Sequence, residues 1–195
     1  MGILSRQAIA KRLESREIVI DPQPRDEDYD SDAVDVHLGN HVYEWVPPPS
    51  GATLSISLWK KPPDEFRYKA FADHYLREVP PDNFGIITLR PETFYLADLQ
   101  QHTSLPPDIA MHVQGKSSLA RLGVMVHLTA PHAHAGWTGR LALEIFNLGP
   151  FNIEMKPGMT IGQLTFWKVE EPGEADSIPA RQFDKQETAR GGGIP

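Results

Sequence analysis

Apolar and polar positions alternate on two different periods along this chain. Near the start, Ala8, Ile9 and Leu13 recur at helical spacing behind Ser5, which predicts a helix over 5–15 with Ser5 as its N-cap. Ile18-Val19-Ile20 then reads as a strand stopped at Asp21-Pro22, and 21–32 as an acidic loop. Val34, Val36 and Leu38 share one face of a half-buried strand over 33–38, with Gly39-Asn40 as the turn that closes it. Four proline pairs or triplets follow, at 47–49, 62–63, 80–81 and 106–107. Proline cannot donate to a sheet ladder, so each marks a connection. Between them, 53–59, 84–89, 93–99 and 109–113 read as short strands, and 64–78 as a mixed stretch with room for a helical turn. Beyond 109, the runs 124–128, 140–146, 151–155 and 161–167 continue the series, with Lys156-Pro157-Gly158 as a turn between the last two. Short strands at regular spacing predict an all-β sandwich or barrel. From Glu170 the chain turns polar and ends in a glycine run.

The 195 residues suit one domain over 1–170 with a tail over 171–195. With 18 prolines and 15 glycines, the chain is too punctuated for a helical bundle. It has no cysteine, which excludes disulfides, thiolate nucleophiles, iron–sulfur clusters and cysteine-held zinc. The net charge of −7 argues against a general nucleic-acid coat but leaves room for one phosphate pocket. Met1–Arg6 lacks the apolar core of a signal peptide, and Arg6 stands where a myristoylation signal needs Ser or Thr. No apolar run is long enough to span a membrane, so the cytoplasm is the expected location.

Three places could carry chemistry. Gly115-Lys116-Ser117-Ser118-Leu119-Ala120-Arg121-Leu122-Gly123 sets two hydroxyls three and four residues before an arginine. As a helical turn it would put Ser117 and Arg121 on one face and offer a phosphate cradle; as a plain capped turn it would leave a surface arginine. Glu144 stands mid-strand, on the face of Ala142 and Phe146 and opposite Leu141, Leu143 and Ile145. If that face lines a pocket, a desolvated carboxyl suits general acid–base work; otherwise it is an outward carboxylate on a half-exposed sheet. His127, His132 and His134 form the third group. His132-Ala133-His134 is similar to the metal-binding His-x-His of cupins, but the next glutamate, Glu144, comes too late for that pattern. Hydrogen-bonded histidines beside a turn are the other reading. The serine-hydrolase elbow and the zinc-deaminase signature are both absent.

As a set, these residues resemble the dCTP deaminases of the dUTPase-like, β-clip superfamily. GKSSLARLGVMVHLTA (115–130), GWTGRLALEIFN (136–147) and KPGMTIGQLTF (156–166) carry the resemblance, with SRQAIAKRLESREIVIDP (5–22) and VDVHLGN (34–40) agreeing with it. It implies a distorted β-barrel that assembles as a homotrimer with active sites between subunits. It also implies hydrolysis of dCTP to dUTP and ammonia without zinc, with Mg2+ arriving on the triphosphate and dTTP as a possible inhibitor. Glu144 matches the general acid–base. Ser117, Ser118 and Arg121, with Lys116 beside them, match the phosphate motif, and Arg121 is also expected near the attacked base. Ala130 matches the position whose main chain reads the pyrimidine edge, and Gln163 lies in the last motif. A glutamate mechanism agrees with the lack of cysteine.

Two departures carry expectations of their own. His132 falls where family members often have arginine. His134 falls at the aspartate that holds the sugar 3′-hydroxyl and, in dUTPases, helps to position water. Imidazole is the poorer acceptor for that water, so deamination without strong dUTPase activity is expected. Alternatives on this resemblance are a dUTPase, a bifunctional enzyme, or a nucleotide-binding regulator without catalysis. In place of the family's Lys-Tyr-x-x-Gln tail stands Phe183-Asp184-Lys185-Gln186, which makes Lys185 and Gln186 the candidates for a lid over the triphosphate.

Overall fold

Ser5 caps the first helix, its hydroxyl accepting from the Ala8 N–H at 3.4 Å, and Ile9 and Leu13 are the buried face. The computed structural model describes residues 2–49, 52–60, 66–172 and 183–191. After α1 (Arg6–Glu14) come β1 (Val19–Asp21), a 3-10 turn (Asp26–Asp28), β2 (Val34–Trp45), α2 (Tyr68–Tyr75), β3 (Leu76–Glu78), β4 (Ile87–Leu89) and β5 (Thr93–Ser104). Then follow β6 (Ile109–Gly115), α3 (Ser117–Ala120), β7 (Val124–Met125), β8 (His132–Ala133), β9 (Thr138–Asn147), β10 (Ile153–Met155) and β11 (Thr160–Lys168). One curled antiparallel sheet, a half-barrel, runs in the order β7-β9-β5-β2-β11-β6-β8, with β1 on β5 and β3 on β2; β4 and β10 form a separate ribbon. The fold is all-β, as predicted.

The period-2 pattern sorts the side chains. Val34, Val36, Leu38, Leu143, Ile145, Leu164 and Phe166 turn inward into one core, where each contributes about 1.5–3 kcal/mol by leaving water. The opposite face of β2, β5 and β9 carries a second, smaller cluster. Tyr43 and Leu96 pack there against Ala72 and Leu76, from α2 and β3, and against Ala189. So this stretch of sheet is covered on both sides, and the cover on its outer side frames a cavity. No helix among the described residues is long and apolar enough to cross a membrane.

Several predicted boundaries shift. Gly39-Asn40 is not a turn, because β2 runs on to Trp45. The register against β5 slips between Leu38 and Val42, and a Cβ at Gly39 would lie 2.6 Å from the Asp98 carbonyl oxygen. Glycine is there for close backbone approach. The strand expected over 53–59 is absent: residues 52–60 have no strand, and Leu58 and Trp59 are exposed. The strand of 84–89 shortens to Ile87–Leu89, because the Asp82 carboxylate accepts from the Phe84 and Ile86 N–H groups and holds a turn. The run 124–128 pairs only over Val124–Met125. The loop 21–32 is anchored rather than free: Asp28 is buried, bonded to Arg25 and 3.4 Å from His37, which in turn pairs with the buried Gln101.

Candidate active site

On β9, Leu143 and Ile145 face the core, while Ala142 and Glu144 face outward beneath α2 and residues 183–191. Of the two readings of Glu144, the structure selects the pocket. The carboxylate lies in a cavity of about 530 Å³ walled by Trp45, Phe94 and Leu96 of the sheet, Tyr68 of α2, and Phe183 and Gln186 of the C-terminal segment. Its Oε2 accepts from the backbone N–H of Leu128 at 3.0 Å and of Thr129 at 3.4 Å. Beyond the end of β7, Leu128 and Thr129 thus turn their N–H groups to a side chain and not to a strand. They also fix the carboxylate in an apolar, aromatic chamber, the setting in which one acid–base group can act on a planar ring.

Ala130, His132 and His134 line the same cavity, as the resemblance implied for a base and sugar site. The histidines form a chain. His112 Nε2 and His132 Nδ1 are 2.8 Å apart, and the His132 and His134 rings meet edge-on at 4.6 Å. Among the described residues, no group of three or more His, Asp or Glu is placed to hold a metal ion. Of the three histidines singled out from the sequence, His132 is hydrogen-bonded, to His112, and it meets His134 through a ring contact. His127 does not line the cavity, and its buried Nδ1 lacks a partner among the described residues.

The phosphate motif lies apart from this chamber. Ser117–Ala120 forms a single helical turn, and Arg121 N–H bonds the Ser117 carbonyl at 3.1 Å. Ser117, Ser118 and Arg121 are exposed and line no part of the Glu144 cavity. Among the described residues the Arg121 guanidinium has no hydrogen-bond or ion-pair partner. Lys116 does have one, with its Nζ 2.7 Å from Asp35 Oδ1. Gln163 of β11 pairs with Asp35 on one side and Gln114 on the other, so it belongs to this second, polar patch. The Glu144 cavity and the exposed Ser117–Arg121 turn thus share no lining residue.

The tail candidates separate. Gln186 is buried and lines the cavity, its amide donating to the Arg140 carbonyl at 2.8 Å while Arg140 N–H donates to the Gln186 carbonyl at 2.8 Å. Lys185 lines no part of the cavity, and its N–H bonds the Thr138 carbonyl at 2.8 Å. Gly139 lies beneath this contact, where a Cβ would come within 2.9 Å of the Gln186 carbonyl oxygen. Sequence reasoning missed Trp45, Tyr68 and Asp98. Tyr68 donates to the Ala189 carbonyl at 3.0 Å, and burial, with Glu144 nearby, pushes its hydroxyl up to about 12, so it remains a donor. Asp98 accepts from the Ala189 N–H; burial pushes its carboxyl up to about 6, against the pull of that bond, His41 and Arg140. The only sequence signal for Asp98 was a charge inside the apolar run Tyr95–Leu99.

Comparison with known proteins agrees with this geometry. A dCTP deaminase of Shewanella loihica is 35% identical over 182 residues, covering 93% of this chain and 88% of the relative. A Methanobrevibacter smithii relative named dCTP deaminase, dUMP-forming, is 32% identical over 176 residues, covering 89% and 84%. The crystal structure of 2'-deoxycytidine 5'-triphosphate deaminase from Agrobacterium tumefaciens superposes with a TM-score of 0.62 at 20% identity, over 87% of this chain and about half (48%) of that one, and shows the shared fold. The family model described as dCTP deaminase-like matches residues 3–169, and the chain belongs to that family.

Proposed function

We propose that this chain deaminates dCTP to dUTP and ammonia. The observation that carries the reading is Glu144, held by two backbone N–H groups in the lining of a largely apolar, aromatic-walled cavity of about 530 Å³, within the range of small-molecule sites. Glu144 takes a proton from water as the water oxygen bonds to C4 of cytosine. As that C4–O bond forms, the C4=N3 π pair moves onto N3, which takes up the proton held by Glu144; Glu144 then passes the C4–OH proton to the exocyclic nitrogen, C4=O forms, the C4–N bond breaks and ammonia leaves. The Ala130 main chain, His132 and His134 face base and sugar, and Gln186 closes the wall. Lys116, Ser117, Ser118 and Arg121 hold the triphosphate, with Gln163 beside them and Lys185 at the rim. Arg121, as an exposed guanidinium without a partner among the described residues of an acidic protein, suits an anion. Mg2+ arrives on the nucleotide and offsets part of its charge; exposed serines, a guanidinium and an ammonium fit phosphate oxygens rather than the metal itself.

The chamber and the turn lie apart in one chain, which supports a homotrimer in which the Arg121 turn of one subunit completes the Glu144 chamber of another. Purified protein with dCTP and Mg2+ should release ammonia and dUTP in equal amounts, and Glu144→Gln should lower turnover by at least about a thousandfold while still binding dCTP. Full activity in Glu144→Gln, or no turnover by the intact chain, overturns the reading. Appearance of dUMP without free dUTP would replace it with the dUMP-forming activity named for the Methanobrevibacter relative.

A further inference from the structure

Ala189 is gripped at both ends. Its N–H donates to the carboxylate of Asp98 on β5, and its carbonyl accepts from the Tyr68 hydroxyl on α2 at 3.0 Å. Asp98 is only 3% exposed, pairs in register with Ala142 two residues before Glu144, and has no role in the reaction proposed above. Holding a carboxylate there is costly, since burial disfavours its charge. The titratable and charged groups that act on it are His41, Arg140, Glu78 and Tyr43, and among the described residues none forms an ion pair with it. Its acceptor is used on Ala189.

What Ala189 anchors is the wall of the chamber. The segment 183–191 enters through Phe183, which packs edge-on against Tyr68 at 5.4 Å. It is pinned to β9 through Gln186 and Arg140, and ends with the Arg190 guanidinium over the Tyr43 ring. Between the Gln186 pin and Arg190, Ala189 is the point where the chain is drawn onto the sheet.

We propose that Asp98 is a positioning residue: with Tyr68 it clamps Ala189 and thereby sets Phe183 and Gln186 as the closing wall of the Glu144 cavity. The substrate side of this inference rests on the cavity being the dCTP site; the clamp itself does not.

Hydrogen–deuterium exchange on the full chain reads the clamp without turnover. In Asp98→Ala, the amides of 184–191 should exchange about tenfold faster or more, with β5 and β9 protected as before. Asp98→Asn keeps an acceptor oxygen and should restore wild-type exchange. With dCTP, Asp98→Ala should raise KM about tenfold while kcat stays within about twofold, and Asp98→Asn should rescue KM. Unchanged tail exchange in Asp98→Ala, or equally fast exchange in Asp98→Asn, overturns the clamp even where KM moves. Tyr68→Phe removes the other grip without opening a large cavity and keeps the test alive if Asp98→Ala does not fold; wild-type exchange in Tyr68→Phe overturns a two-point clamp. If exchange behaves as expected but the wild-type chain does not turn over dCTP, the clamp stands and the deaminase reading falls.

Discussion

Two buried aspartates answer burial with opposite signs. At Asp98 desolvation wins, and the carboxyl sits at about 6. At Asp28 desolvation also pushes up, but hydrogen bonds from the Arg25 side chain and backbone, with His37 nearby, pull the carboxyl below its usual range. The consequences for stability follow by linkage. Because the Asp98 pKa is higher folded than unfolded, folding binds a proton there, and stability falls as pH rises from about 4 to 6. Because the Asp28 pKa is lower folded, its contribution is present above about pH 4 and fades as pH drops through the folded value. Thermal unfolding against pH checks both. Asp98→Asn should gain on wild type across that window, by up to about 3 kcal/mol at neutral pH. Asp28→Asn should lose about 2–3 kcal/mol at neutral pH, and the gap should narrow in acid. Parallel curves for wild type and Asp98→Asn would remove the buried-charge account of Asp98.

At the scale of elements, what could be read from the sequence was what local periodicity encodes. The β9 alternation predicts which residues face the core because period 2 is written into Leu141–Phe146 itself. The chamber around Glu144 was legible only in part: the resemblance pointed to Lys185 and Gln186 as a lid, and Gln186 lines the cavity, but the cover from Tyr68 carries no local pattern that links it to β9. Gly39-Asn40 shows how a local signal misleads. The dipeptide suits a turn, but the Asp98 backbone lies against it and the strand continues. The run 53–59 has strand-like residues yet finds no edge to pair with, and pairing rather than propensity decides a strand. Gly39→Ala follows from this contact. A methyl group within 2.6 Å of a carbonyl oxygen forces β2 and β5 apart, and the variant should lose about 1–3 kcal/mol in a urea midpoint measurement. A wild-type midpoint would show that the strands absorb the methyl group and would remove the close-approach account of Gly39.

For the whole molecule, the feature behind the proposed function is that the Glu144 cavity and the Arg121 turn do not meet within one chain's lining. The Glu144 chamber has a carboxyl and aromatic walls, whereas the turn at Ser117–Arg121 presents exposed hydroxyls and a guanidinium and lines no part of that chamber. An overall charge of −7 would repel a triphosphate, and in the proposed function the Arg121 guanidinium offsets that repulsion locally. If the homotrimer joins these halves across subunits, the arrangement has an arithmetic signature. Glu144→Gln and Arg121→Ala should each be inactive alone. Unfolded together at equal amounts and refolded, they form mixed trimers in which each site draws its glutamate from one subunit and its arginine from the next. About one site in four then receives both native residues, so the mixture should regain roughly a quarter of wild-type activity. Sites built within a single chain regain nothing, because every chain in the mixture lacks one of the two groups. Light scattering on the same sample gives the subunit number, and a monomer, or a trimer with no regained activity, would move the Arg121 turn out of the active site.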